Sequence, residues 1–216
     1  MTRVLAFDTS TPWCNVCVSH NQAILAQASQ YLPQAHSRDL VPMIQKVLTE
    51  ANLSFKEIDK LATILGPGSF TGLRVGLATA QGISLALGKP IVALDTFRAY
   101  ALSLKVKNNI LVLIESQKTD IYCQLLDNQG NPLKKPMAMP PDQISQYVNE
   151  GPFALTGDGA EKILFLLDEH KKSYEYHFLS ANLVCQCLAR FAEKQSEENL
   201  TNAEPFYLSP CKIIKS

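Results

Sequence analysis

The sequence predicts an α/β protein of two subdomains, each a mixed sheet flanked by helices. Three observations predict it. Each half opens with three short strand-like segments, then runs helix, strand, helix. Of the 216 residues 46% are hydrophobic, enough for a sizeable core and too many for disorder. The length fits one large domain or two small ones, and the polar stretch Lys105–Asn109 divides the pattern into residues 1–104 and 105–216. No sequence repeat accompanies this shared plan.

The elements follow in order. Val4 to Phe7 is a continuous apolar run, as in a strand buried on both faces. A turn at Asp8–Pro12, a strand at Cys14–Ser19, a tight connection at His20-Asn21-Gln22 and a strand at Ala23–Ser29 complete a meander. Leu40, Ile44, Val47 and Ala51 recur on one stripe and predict a helix over Ser37–Ala51, with Pro42 early enough to be tolerated. Leu61–Leu65 predicts a strand and Gly66–Gly72 a turn. Ser69 or Thr71 then caps a helix that runs to Leu87 and stops at Gly88-Lys89-Pro90. Ile91–Leu94 is a short strand, and Thr96 is the expected cap of a helix reaching about Leu104.

In the second half, Ile110–Ile114, Asp120–Leu126 and Leu133–Met139 form a second meander. A helix over Pro141–Asn149, a strand at Phe153–Thr156, a helix opened by Gly157-Asp158-Gly159 and running through Leu167, and a last helix at Ala181–Lys194 follow.

Charge and cysteine usage narrow the function classes. Lys+Arg and Asp+Glu both number 20, and neither half hides an imbalance: 8 basic and 6 acidic residues precede position 105, 12 and 14 follow. Phosphate neutralisation needs a cationic field, so a stand-alone nucleic-acid binder is disfavoured. The run Val4–Phe7 stops at Asp8, so no signal-peptide core is expected. Val75–Gly88 is free of charge but, at 14 residues, shorter than the roughly 20 a membrane span needs. A cytoplasmic protein with no membrane association is expected. Cys14 and Cys17 lie three apart on a strand and so point to opposite faces, and Cys185 and Cys187 lie two apart on a helix. No metal, cofactor or catalytic set is expected, and the cysteines read as small buried residues.

Two segments could carry ligand chemistry. Six of the ten glycines fall between Gly66 and Gly88, at a strand–turn–helix junction of the kind that binds anions. The specific phosphate-loop and dinucleotide patterns fail, since Leu73-Arg74 follows Gly72 and Thr71 stands at the third glycine. Asp8, Thr9 and Ser10 after the first strand, and Gly157, Asp158 and Gly159 after a later one, either hold a phosphate or fix turns.

The helix after Gly72 is the more informative feature. Gly72, Val75, Gly76, Thr79, Ala80, Ile83 and Leu87 share the side expected to face its own sheet. The opposite side carries Arg74, Leu77, Ala78, Gln81, Ser84 and Leu85, with one charge among them. Val41, Gln45 and Leu48 extend the apolar stripe of the preceding helix sideways. Cover by the second subdomain and cover by another protein both fit this pattern.

Several stretches resemble the TsaB (YeaZ) family. They are Leu5-Ala6-Phe7-Asp8-Thr9-Ser10-Thr11, His36-Ser37-Arg38-Asp39-Leu40-Val41-Pro42-Met43-Ile44, Gly66-Pro67-Gly68-Ser69-Phe70-Thr71-Gly72-Leu73-Arg74-Val75-Gly76 and Ala80-Gln81-Gly82. Ile121-Tyr122 and the closing Ala203-Glu204-Pro205-Phe206-Tyr207-Leu208 add to the likeness. The resemblance implies a two-lobed actin-like fold of the Hsp70 and sugar-kinase class, related to RNase H. It also implies a non-catalytic role in making N6-threonylcarbamoyladenosine in tRNA. TsaB pairs with the transferase TsaD through two N-terminal helices, and TsaE supplies ATPase activity; tRNA is met only within the complex. Carried onto this chain, the helices are Ser37–Ala51 and Thr71–Leu87, and the partner surface is Val41, Gln45, Leu48, Arg74, Leu77, Ala78, Gln81 and Leu85. A homodimer of the free chain through the same face is compatible with it.

The chain departs from relatives in three places. His36 has no histidine four residues on, Glu115-Ser116-Gln117 stands where Asp-Ala-Arg is frequent, and Ser209 replaces a frequent Arg. Two other readings stay open: an actin-like ATPase or kinase using Asp8, Thr9 and Gly157-Asp158-Gly159, and a glycoprotease-type metallopeptidase, which the missing histidine pair disfavours.

Overall fold

A computed structural model describes residues 2–32, 35–116, 119–148, 151–196 and 204–208. The first sheet holds β1 (Arg3–Asp8), β2 (Trp13–His20), β3 (Ala23–Tyr31), β4 (Lys60–Ile64) and β5 (Ile91–Leu94) in the order β3-β2-β1-β4-β5. The second holds β6 (Asn109–Glu115), β7 (Ile121–Leu126), β8 (Met137–Met139), β9 (Phe153–Thr156) and β10 (Tyr174–Tyr176) in the order β10-β9-β6-β7-β8. In each, the meander is antiparallel and the two later strands are parallel to the first. The two sheets thus repeat one topology, as the shared plan of the halves predicts.

Helices layer the sheets. α1 (His36–Glu50) and α2 (Phe70–Leu87) cover the outer face of the first sheet, packing on Leu5, Phe7, Val16, Val18 and Leu61. α3 (Thr96–Ser103) and α6 (Ala181–Lys194) fill the space between the sheets, in a core shared by Val4, Ala6, Val92, Ile110, Val112 and Leu188. α4 (Ile144–Tyr147), α5 (Leu164–Glu169) and 3-10 turns cover the outer face of the second sheet. Period-2 alternation sets this up: Val4 and Ala6 face the central core, Leu5 and Phe7 the outer one.

The structure corrects several expected boundaries. Asp95, not Thr96, caps α3, its carboxylate accepting the Arg98 N–H at 2.8 Å. Ser69 is the cap of α2, its Oγ accepting from Gly72 N at 3.2 Å. The third strand of the second meander keeps only Met137–Met139, because Pro136 cannot donate to a ladder. The helix expected at Pro141–Asn149 is a 3-10 turn followed by α4; Asn149 lies outside the described residues. The helix after Gly159 starts as a 3-10 turn at Ala160–Ile163. β10 was not expected at all: it is three residues long with a charge at its centre.

Cys14 and Cys17 do face opposite ways, one in each core. Cys17 meets a residue far from it in the chain: its Sγ lies 3.6 Å from that of Cys185, tying β2 to α6 as free thiols.

α6 is also anchored by a buried lysine at the start of β4. Lys60 Nζ donates to Ala192 O at 3.5 Å and to Gln195 O. An ammonium here satisfies carbonyls that a helix end leaves open and meets the negative end of its dipole. Lys60→Met is expected to lower stability by about 1–3 kcal/mol, read as a lower urea midpoint with an unchanged slope.

Candidate functional site

The turn after β1 is closed by protein. Asp8, Thr9 and Ser10 are each about 2% exposed. Asp8 Oδ1 accepts Ser10 N–H at 2.8 Å, a self-bonded turn. Burial raises the Asp8 pKa, opposed by its bonds to Ser10 and by the charge of His36. The glycine-rich loop lies directly on this turn. A Cβ at Gly68 would sit 2.3 Å from Ser10 O, and one at Gly72 1.9 Å from Thr9 O, so only glycine permits the approach. Amides that a phosphate would need are engaged: Ser69 N donates to Ser10 O at 2.7 Å and Gly72 N to Ser69 Oγ. The tail crosses the same loop, Phe206 N donating to Leu65 O at 2.7 Å. Tyr207 packs on Phe70 with the rings tilted by 38° and their centroids 5.1 Å apart, and its hydroxyl accepts from Arg74 Nε at 3.2 Å. The closing motif is therefore part of the α2 N-terminus. Gln117, Ala203 and Ser209 lie outside the described residues.

Gly157, Asp158 and Gly159 form the matching turn of the second sheet. Gly157 has φ of +107°, and Gly159 N donates to Leu113 O at 3.1 Å. Asp158 Oδ1 accepts Glu115 N–H at 2.8 Å. The two turns meet across a cavity of about 560 Å³ between the lobes, lined by Thr11, Trp13, Tyr31, Tyr100, Asp158 and Tyr176 among others. Tyr100 feels the charges of both Asp158 and Asp8 and, chiefly through burial, has its pKa raised well above the usual value.

Asp158 is open to solvent at the base of this cavity, yet the protein mass around it lifts its pKa to about 6, with Glu115 and Asp8 adding to the rise and bonds to Glu115 N–H opposing it. The folded state then holds this proton more tightly than the unfolded chain does. The stability cost is absent below about pH 4, grows as pH rises to about 6, and is complete above. Asp158→Asn keeps an acceptor for Glu115 N–H and removes the charge. It is expected to raise Tm at about pH 7.5, with the gain vanishing by about pH 4 in a melting series.

The α1–α2 face is the second candidate. Val41, Gln45, Arg74, Ala78, Gln81 and Leu85 are exposed, Leu85 at 88%. Leu48 and Leu77 are not: they are 3% and 6% exposed, which corrects their expected place on the outer face. Leu48 packs in the outer core with Ala80, Val75 and Ile83, because α1 and α2 lie side by side. The sequence reading also left out Pro42, Gly82 and Ala86, which are exposed on the same helices. Arg74 is the one charged side chain of α2, and its guanidinium lies 3.8 Å from the Phe70 ring centroid.

His36 is buried at the start of α1, with Leu40 in the core where a second histidine would stand. Among the described residues no group of three His, Cys, Asp or Glu could hold a metal ion, and no helix is long and apolar enough to cross a membrane.

Twin sheets of this topology around an interlobe cavity define a two-lobed actin-like protein. The fold is shared, at 13% identity and a TM-score of 0.54, with the ROK hexokinase of Thermus thermophilus over 90% of this chain and 100% of that one. It is shared more closely with YeaZ from Pseudomonas aeruginosa, at 24% identity and a TM-score of 0.75 over 96% of this chain and 100% of that one. Residues 15–206 match the family described as TsaD, tRNA N6-adenosine threonylcarbamoyltransferase. The chain belongs to that family, and within it to the TsaB (YeaZ) group. It is 33% identical over 123 residues to the tRNA threonylcarbamoyladenosine biosynthesis protein TsaB of Escherichia coli, a match covering 56% of this chain and 53% of that protein. The chain spans about half the length of the curated relatives it matches.

Proposed function

We propose that the chain is a non-catalytic subunit in the formation of N6-threonylcarbamoyladenosine in tRNA, docking through α1 and α2 onto the transferase TsaD, with TsaE joining the pair. The observation that carries it is the exposed stripe Ala78, Gln81, Gly82, Leu85 and Ala86 on α2, free of formal charge and continued by Val41, Pro42 and Gln45 on α1. An exposed patch of this kind is a contact surface in search of cover. The family supplies the partner's identity, and the neutral overall charge fits a subunit that leaves most of the RNA contact to that partner.

Reconstitution tests this. Given ATP and an activated threonylcarbamoyl donor, TsaD, TsaE and this chain together should modify tRNA, while omission of any one protein should leave it unmodified. Modification by TsaD and TsaE without the chain would sink the reading, and so would modification by the chain alone. The ATPase reading finds less support, since amides of the glycine-rich loop are bonded to protein and the described residues lining the cavity include no Lys, Arg or His.

A further inference from the structure

We infer that the interlobe cavity binds a planar organic cation, a guanidinium or amidinium group, carried by a free small molecule or by an arginine side chain. The inference rests on the cavity alone and is independent of the partner reading above.

The wall is aromatic. Trp13, Tyr31 and Phe178 are 42%, 58% and 74% exposed, and all three line this one cavity together with Tyr100 and Tyr176. Large rings left in water from separate parts of a chain, all turned to one space, mark a binding surface. Trp13 and Tyr31 stand edge to face, with centroids 5.4 Å apart.

Among the described residues the charge in the cavity is negative. Glu115, Asp158 and Glu161 line it. Lys162 neutralises Glu115 in an ion pair at the rim. Asp158 and Glu161 have no cationic partner among the described residues; Glu161 only accepts from Tyr176 OH, at 3.4 Å. A nucleotide's phosphates would face two uncompensated carboxylates. A bare metal ion would find no cluster of three ligands among the described residues. A planar cation satisfies both features, its face on the rings and its N–H groups on the carboxylates.

The chain has a single tryptophan, and it lines the cavity, so its fluorescence reports occupancy. Benzamidinium chloride, a capped Gly-Arg-Gly peptide and Mg·ATP would each be titrated into the intact chain at constant ionic strength. Benzamidinium, the peptide or both should give a saturable change with Kd of roughly 0.1–1 mM, the range open to a ligand of about ten heavy atoms. A response to only one of them identifies the source of the cation. Asp158→Asn and the exposed Glu161→Gln should each weaken the response about fivefold or more while their melting curves stay cooperative. The inference is overturned if neither cation saturates by about 20 mM, if Mg·ATP saturates and displaces benzamidinium, or if both variants bind within about twofold of the parent.

Discussion

Gly157→Ala is expected to destabilise the fold by about 3–5 kcal/mol, lowering Tm by roughly 10 °C or more. Two costs combine. The backbone has φ of +107°, a region that L side chains rarely adopt. A Cβ would also stand 1.9 Å from Leu113 O and 2.9 Å from Leu113 N, atoms of the central strand β6 that cannot move aside without breaking the sheet. With a total stability of about 5–15 kcal/mol, that loss is a large share. Gly82→Ala is the internal control. Nothing lies within 4 Å of a Cβ there and the site is helical, so a gain of about 0.5–1 kcal/mol is expected. Urea unfolding of both variants checks the pair; a Gly157 variant as stable as the parent would mean that the turn is misplaced.

Ala78→Glu with Leu85→Lys is expected to weaken binding to TsaD by about 100-fold, or roughly 2.7 kcal/mol, while the monomer melts within about 2–4 °C of the parent. Both side chains are exposed, so their replacement leaves the core alone. The pair is charge-neutral, so a loss of affinity cannot come from net charge. Lysine near the C-terminal end of α2 avoids a clash with the helix dipole. Leu77 is unsuitable for such a test, because it is buried and a charge there would damage the fold itself. Affinity within about threefold of the parent would exclude this face as the TsaD contact. If the free chain pairs with itself there, the same variant should sediment as a monomer.

Much of the fold was legible because periodicity reports burial against one neighbour. The apolar runs of β1, β4 and β6 mark strands with both faces covered, since alternate side chains enter the core between the sheets and the helix-covered core outside them. The same logic failed where a second neighbour intervenes. A helical wheel places a residue relative to the sheet beneath and cannot see a helix alongside, so it turns Leu48 outward although Leu48 packs between α1 and α2. β10 escaped for the opposite reason: Tyr174-Glu175-Tyr176 is too short to show a period and is recognised only by its parallel pairing with β9.

The candidate sites divide in the same way. The charge-free stripe of α2 could be read because it is local, repeating along one helix. The turns at Asp8 and Gly157 could be read as turns, but not that the glycine loop would press on the first of them. The cavity could not be read. Trp13, Tyr31, Tyr100, Glu115, Asp158 and Tyr176 come from separate elements and share no spacing, and only the stacking of the two lobes brings them together.

The return of α6 to the first sheet bears on how the chain is made. All five strands of that sheet have been synthesised by Leu94, yet the side chains that cover its inner face, Val184, Cys185, Leu188 and Ala189, come only after every strand of the second sheet. Until then Val4, Ala6, Val92 and Leu94 lack the helix that packs on all five strands of their sheet, and the nascent N-terminal half carries an open apolar sheet face. Contacts this distant in sequence form late and slowly. Folding of the first sheet is then completed only once α6 has been made and slides between the lobes, and a ribosome stalled before α6 would release a product prone to aggregate.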